Sequence, residues 1–124
     1  MYYVSKRIEV AGAHQLQLPY ESKCTNIHGH NWIITVYCKA AKLTDYGMVV
    51  DFKKIKNVIH NKLDHQYFNE VISNINPTAE NIAHWILDRV NEVCDNPYAY
   101  CYKVSVQESE GNIAWYEEEE NESR

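Results

Sequence analysis

The sequence predicts an α+β domain of four antiparallel strands in the order ββααββ, with two helices covering one face of the sheet. Three observations carry this. Two long N-terminal segments alternate apolar and polar residues with a period of two. Two central segments carry apolar residues at helical spacing, and two short alternating segments flank a turn at 109–111. At 124 residues, without internal repeats or a linker, the chain reads as one domain spanning 1–124.

In residues 2–14, Val4, Ile8, Val10, Gly12 and His14 share one parity, with Lys6 the polar exception, which describes a strand with one buried face. A loop over 15–27 contains Pro19 and Cys24. The second strand, His28 to Lys39, carries His28, His30, Trp32, Ile34, Val36 and Cys38 on one face. Residues two apart on a strand point the same way, so His28 and His30 converge, and Gly29 leaves room opposite. Phe52, Ile55, Val58, Ile59 and Leu63 define a helix over about 52–62, with Asp51 as N-cap. Thr78 caps a second helix, with Glu80 in its first turn and Ile82, Trp85, Ile86, Val90 and Val93 as its stripe. Asn96-Pro97 ends it. Tyr102, Val104, Val106 and Glu108 form one face of the third strand, and residues 112–117 form the fourth.

The opposite sheet face carries Ser5, Arg7, Thr35, Lys103, Ser105 and Gln107 with aromatics between them, too mixed for a dry core. Both sheet edges are open. Closure into a barrel removes exposed edges, which predicts a homo-oligomer whose sheets join edge to edge.

Composition is ordinary for a globular protein: 45% hydrophobic, 23% charged, net charge −5. Residues 117–124 form an acidic tail expected to be solvated and frayed. No basic footprint points to nucleic acid, and no apolar run is long enough to span a membrane. With no charged-then-apolar leader, the expected location is the cytosol. Four cysteines fit neither a Cys-x2-Cys zinc pattern nor a redox pair. Cys38, Cys94 and Cys101 read as small buried hydrophobes. Cys24, beside Lys23 in a polar loop, reads differently.

His14, His28 and His30 carry the chemistry. Three imidazoles suit zinc, with two ligands from one strand and a third from the end of its neighbour. A lone histidine would more simply satisfy a core or turn hydrogen bond, and His60 and His84 are read that way. Cys24 has two readings. As a fourth ligand it would close the shell and make the site structural. As a free thiolate it would be a base or nucleophile. Asp64-His65 favours catalysis, because a histidine can hold a thiol's proton and a carboxylate can support the imidazolium. The plainer reading of His65 is a helix C-terminal contact. Glu108 ends an apolar row, where an ionised carboxylate needs a partner: an internal cation, or the planar N–H edge of a guanidine-like heterocycle.

Ala13-His14, Lys23-Cys24 through His28-Gly29-His30-Asn31, Gly47 to Phe52, Leu63-Asp64-His65, Asn76-Pro77-Thr78-Ala79-Glu80 and Glu108-Ser109 together resemble the 6-pyruvoyl-tetrahydropterin synthase / 6-carboxy-tetrahydropterin synthase family. The segments occur in family order over nearly the whole chain. The resemblance implies the tunnelling fold (T-fold), with trimers closing each barrel and two barrels stacking as a hexamer. It implies Zn2+ on His14, His28 and His30, and Cys24 as the proton-abstracting base supported by Asp64 and His65. It implies Glu108 in the catalytic set as anchor of the pterin's amino-pyrimidine edge; Thr78 is a further candidate substrate contact, and Lys23 is one by its position beside Cys24. Pockets would form between subunits. The implied substrate is 7,8-dihydroneopterin triphosphate. The carboxy-forming branch, which releases acetaldehyde and feeds 7-deazaguanine (queuosine) synthesis, is indicated by three residues between Cys24 and His28, where the pyruvoyl branch usually has an insertion. Gly12 stands where the family often has alanine, a small-for-small exchange expected to change little. Ser109 stands where threonine is usual and keeps the hydroxyl. The alternatives are the pyruvoyl synthase itself and a non-enzymatic zinc-stabilised module.

Overall fold

Period-two alternation in the first forty residues becomes a long antiparallel pair in a computed structural model that describes residues 1–119. In chain order the elements are β1 (Tyr2–His14), β2 (His28–Ala40), α1 (Phe52–Leu63), β3 (Gln66–Tyr67), α2 (Phe68–Val71), α3 (Ala79–Val93), β4 (Ala99–Ser109) and β5 (Asn112–Glu117). The sheet order is β3-β1-β2-β4-β5. β1 and β2 stay in register from Tyr2 opposite Ala40 to His14 opposite His28. Ile8, Val10, Trp32, Ile34, Val36 and Cys38 are buried on the shared face, as the alternation requires.

The helices cover that face. Asp51 caps α1 by accepting from Lys53 N at 2.9 Å, and Thr78 caps α3 by accepting from Asn81 N at 3.2 Å. Ile55, Ile59 and Leu63 of α1 and Ile82, Ala83, Ile86, Leu87 and Val90 of α3 are buried. Four residues of the expected stripes are not fully buried. Val58 and Val93 are half-buried. Phe52 is 45% exposed, and Trp85 is half-buried under the Arg89 guanidinium, 5.4 Å from its ring centroid. Asn96, buried at the end of the second long helix, donates to Lys42 O and Val49 O and accepts from Tyr98 N, holding the 41–50 loop.

The sheet departs from the expected four strands in two ways. β3 adds a short parallel strand, with Gln66 opposite Gly12 and Tyr67 opposite Ala13, and α2 follows it directly. Two residues carry no periodicity, and their pairing with β1 is not local, so the pattern is silent there. The second departure is in β4. Its register against β2 slips between Tyr37 and Cys38, with Lys103 opposite Tyr37 and Cys101 opposite Cys38. Tyr102 is therefore the extra residue of a bulge. It lies against Tyr3 and Tyr37 on the helix-free face instead of extending the buried row of Val104 and Val106. On that face Lys39 sits over Tyr100 and Tyr102, and Lys103 over Tyr37 and Trp115.

Of the acidic tail, Glu117 belongs to β5 and Glu118 N donates to Tyr102 O; residues 120–124 lie outside the described residues. Cys38 and Cys101 are fully buried, Cys94 is half-buried, and all four cysteines are free. A side-chain contact with Cys101, together with burial, pushes the Cys38 thiol far up, which makes it inert. No helix among the described residues is long and apolar enough to cross a membrane.

Candidate metal centre and surrounding groups

Strand register alone brings the three histidines together. His14 ends β1 directly opposite His28, which opens β2, and His30 follows two residues on, opposite Gly12. One ring nitrogen from each lies within 4.8 Å of the others. Trp32, the next inward residue of β2, supports the cluster from below. Its ring centroid is 4.8 Å from His14 and 5.2 Å from His30, and its indole N–H donates to Gly12 O at 3.0 Å.

Two imidazoles are oriented by main-chain carbonyls. His14 Nδ1 donates to Pro77 O at 2.8 Å, and His28 Nδ1 donates to Asn26 O at 2.7 Å. A proton on Nδ1 leaves Nε2 as the free lone pair, the arrangement metal-bound histidines use. Nε2 of His14 and of His30 are buried without a hydrogen bond. Burial lowers the pKa of His14, against the opposing pull of the Pro77 carbonyl, and burial likewise lowers that of His30. Both are thereby held neutral and able to ligate. Unpaired buried nitrogens are costly in a merely structural cluster. Three imidazoles with converging ring nitrogens fit a borderline metal such as zinc.

Glu108 stands beside this cluster, its Oε1 3.4 Å from His30 Nε2. The β4–β5 register explains its aim. Gln107 faces Ile113 and Ser109 faces Asn112, so Glu108 has no partner across the ladder. A bulge re-aims such a side chain. Here the carboxylate lines an open groove with Glu80, Ala79, Asn112 and Trp115.

Cys24 sits in a tight helical turn, Lys23–Thr25, where Ser22 Oγ accepts from Cys24 N at 3.2 Å. Its sulfur is not part of the three-histidine group. Asp64 caps the C-terminus of α1, and its Oδ1 accepts from Ala11 N at 3.0 Å. His65 donates its main-chain N–H to Ala11 O, adopts φ +59°, and leaves its ring 81% exposed, with Nε2 3.7 Å from Asp64 Oδ2. A non-glycine residue held at positive φ is an uncommon strain that clusters at functional sites. His65 opens onto a groove floored by Ala11, Ala13 and Gly29. Within the chain, no hydrogen bond or ion pair among the described residues joins Cys24 to Asp64 or His65.

A family model described as 6-pyruvoyl tetrahydropterin synthase matches residues 3–119. The chain belongs to that family. It is 35% identical over 100 residues to the 6-carboxy-5,6,7,8-tetrahydropterin synthase of Synechocystis, covering 74% of this chain and 77% of that one. It is 34% identical over 140 residues to the human 6-pyruvoyl tetrahydrobiopterin synthase, covering 94% and 91%. Among solved structures, the 6-pyruvoyl tetrahydropterin synthase of Caenorhabditis elegans superposes with a TM-score of 0.76 at 25% identity, covering 95% and 96%. The fold is the T-fold expected from the sequence, and the named relatives are tetrahydropterin synthases of both the carboxy- and pyruvoyl-forming kinds.

The remaining residues singled out in the sequence take plainer positions. Thr78 spends its hydroxyl oxygen as the α3 cap. Lys23 is exposed at the start of the Cys24 turn. Sequence reasoning missed the residues that aim the centre: Pro77 and Asn26 through their carbonyls, and Phe68 beneath Trp32 at 5.2 Å. Main-chain acceptors leave no side-chain signal. Phe68 lies between the two helices expected from the sequence, in a stretch with no periodicity to mark it.

Proposed function

We propose that this chain is a zinc-dependent 6-carboxy-5,6,7,8-tetrahydropterin synthase. It converts 7,8-dihydroneopterin triphosphate to 6-carboxytetrahydropterin with release of acetaldehyde and triphosphate, for 7-deazaguanine (queuosine) synthesis. The observation that carries the reading is the convergence of one ring nitrogen from each of His14, His28 and His30, those of His14 and His30 buried without a hydrogen bond, beside a carboxylate on a bulge.

His14, His28 and His30 would hold the zinc. Bound there, it supplies Lewis acidity toward the substrate's side-chain hydroxyls, which acidifies the adjacent C–H bonds. Glu108 accepts from the planar amino-pyrimidine edge and fixes the ring's orientation. The Cys24 thiolate removes the activated proton. Asp64 is pinned through Oδ1 to Ala11 N, so its Oδ2 remains to support a protonated His65. Lys23 and Thr78 are the further substrate contacts, Lys23 by charge and Thr78 by its remaining hydroxyl proton. The outer edge of β1 is covered by β3 only at Gly12 and Ala13, and β5 is the other outer strand. Joining these edges between copies closes a barrel, and in a hexamer of two such trimers His65 of one copy serves Cys24 of another.

The carboxy branch is favoured by the three residues between Cys24 and His28. The human pyruvoyl-forming relative aligns over 140 positions against a chain of 124 residues, so it carries residues this chain lacks. Mass identification of products from dihydroneopterin triphosphate tests the reading. Carboxytetrahydropterin and acetaldehyde are expected, abolished by chelator and by Cys24→Ala with zinc retained. A pyruvoyl product would move the chain to the other branch. No consumption by zinc-loaded protein, or a Zn–S distance near ~2.3 Å to Cys24, would leave a structural zinc module.

A further inference from the structure

We infer that Gln15 is a positioning residue for Cys24, one that ties the Asp64–His65 segment to the cysteine turn within the same chain. The inference rests on the reading of Cys24 as the catalytic base. Gln15 follows His14 directly, and both ends of its side-chain amide are used. Nε2 donates to Thr25 O at 2.7 Å, and Oε1 accepts from the Tyr67 hydroxyl at 3.1 Å. Its main chain is clamped as well. Asn69 Oδ1 accepts from Gln15 N, and Asn69 Nδ2 donates to Gln15 O, both at 2.8 Å, so one side-chain amide imitates a neighbouring strand.

The consequence falls on the cysteine turn. Three consecutive carbonyls there are held from outside the turn. Cys24 O accepts from Leu16 N at 2.8 Å, Thr25 O from Gln15 Nε2, and Asn26 O from His28 Nδ1. The first bond is main chain, and the third comes from a residue of the metal centre. The middle one depends on a single side chain whose other end is fixed by Tyr67, two residues beyond His65. Loss of that bridge leaves the turn hinged on its flanking contacts, and the sulfur loses its fixed direction. Misplacing a reacting group by about 1 Å costs on the order of a hundredfold in rate, while substrate recognition at Glu108 and the metal set is untouched.

Gln15→Glu keeps the acceptor for Tyr67 but sets a carboxylate against the Thr25 carbonyl. Gln15→Met keeps the shape and removes both bonds. Tyr67→Phe removes only the outer bond. Each variant is assayed for zinc content, for kcat and KM, and for the alkylation rate of Cys24 by iodoacetamide, read by peptide mass spectrometry. We expect full zinc content in all three, and kcat lowered roughly ten- to a hundredfold in the Gln15 variants with KM within about twofold. Cys24 alkylation should be several-fold faster in both, and Tyr67→Phe should show a smaller change in the same direction. Gln15 variants with parental kcat and parental alkylation would overturn the inference. So would a kcat loss that merely follows loss of zinc, since Gln15 would then act through His14. Should the parent protein itself turn over no dihydropterin, the functional reading fails, and the alkylation rates alone decide whether Gln15 holds the turn.

Discussion

Gly12→Ala is the substitution for which sequence and structure give opposite answers. By sequence it exchanges small for small at a place where the family often has alanine, and little should change. In the fold, a Cβ at Gly12 would lie 2.4 Å from both Cε1 and Cζ of Phe68. Carbon–carbon contacts settle near ~3.5–4.0 Å, so the ring has to retreat by roughly 1 Å or more. Phe68 is fully buried and cannot swing outward. Its retreat presses on Trp32, 5.2 Å away, which in turn supports His14 and His30. Overpacking of this kind costs about 1–3 kcal/mol. Alanine recovers about 0.5–1 kcal/mol of backbone entropy in a strand, which leaves a net loss of about 0.5–2 kcal/mol. Urea unfolding of metal-free protein should show that loss as a lower midpoint. Phe68→Leu combined with Gly12→Ala should restore part of it, giving a favourable coupling in the double-mutant cycle. An unchanged or higher midpoint for Gly12→Ala alone would refute the packing argument, as would strict additivity with Phe68→Leu.

Two further outcomes follow from the histidine cluster. His14→Ala should reduce bound zinc to near zero and also destabilise the metal-free chain by about 1–3 kcal/mol, because Pro77 O loses its buried donor; metal analysis and unfolding of the apoprotein read the two effects separately. Acidification should destabilise the apoprotein. His14 and His30 have pKa values below the usual 6.5 in the fold, so the unfolded chain takes up protons that the folded chain refuses, and this stability is complete above about pH 6.5 and lost as pH falls below it. Urea midpoints that stay level or rise between pH 7.5 and 5.5 in chelator would contradict the assignment.

The residues that could be read from sequence are those whose place is fixed by parity or by short-range capping. His28, His30, Trp32 and Ile34 share a face because strands repeat every two residues, and Asp51 and Thr78 announce their helices because a cap is local. What escaped depends on pairings the sequence does not display. Tyr102 was assigned to the buried row, and one inserted residue moved it to the other face. Phe68 and Gly12 are far apart in sequence, so their interlocking could not be anticipated from either residue. Gln15 looked like an ordinary polar loop residue. Its partners, Thr25, Tyr67 and Asn69, are brought to it only by the pairing of β3 with β1 and the return of the loop.

The metal centre and the core are one structure, and this places a constraint on the groups around it. Val10 and Trp32 are cross-strand partners within the core, and the row they begin continues through His30 to the pair His14–His28. The burial that keeps His14 and His30 neutral is thus an extension of the burial that folds the sheet. Metal binding at the end of that row then adds to folding stability. The pterin-anchoring role proposed for Glu108 makes the opposite demand, because its carboxylate has to reach the same centre while staying open to a ligand. Placed in the regular row after Val104 and Val106 it would be desolvated at high cost. The register shift at Glu108 resolves the conflict. It leaves the carboxylate 3.4 Å from His30 Nε2 but without a cross-strand neighbour, so that it opens onto a groove. Removal of the bulge, for example by deleting Glu110 to draw β5 into uninterrupted register, should therefore impair pterin binding while sparing the three-histidine site. Loss of zinc in that variant would show that Glu108's register and the metal centre are not separable in this way.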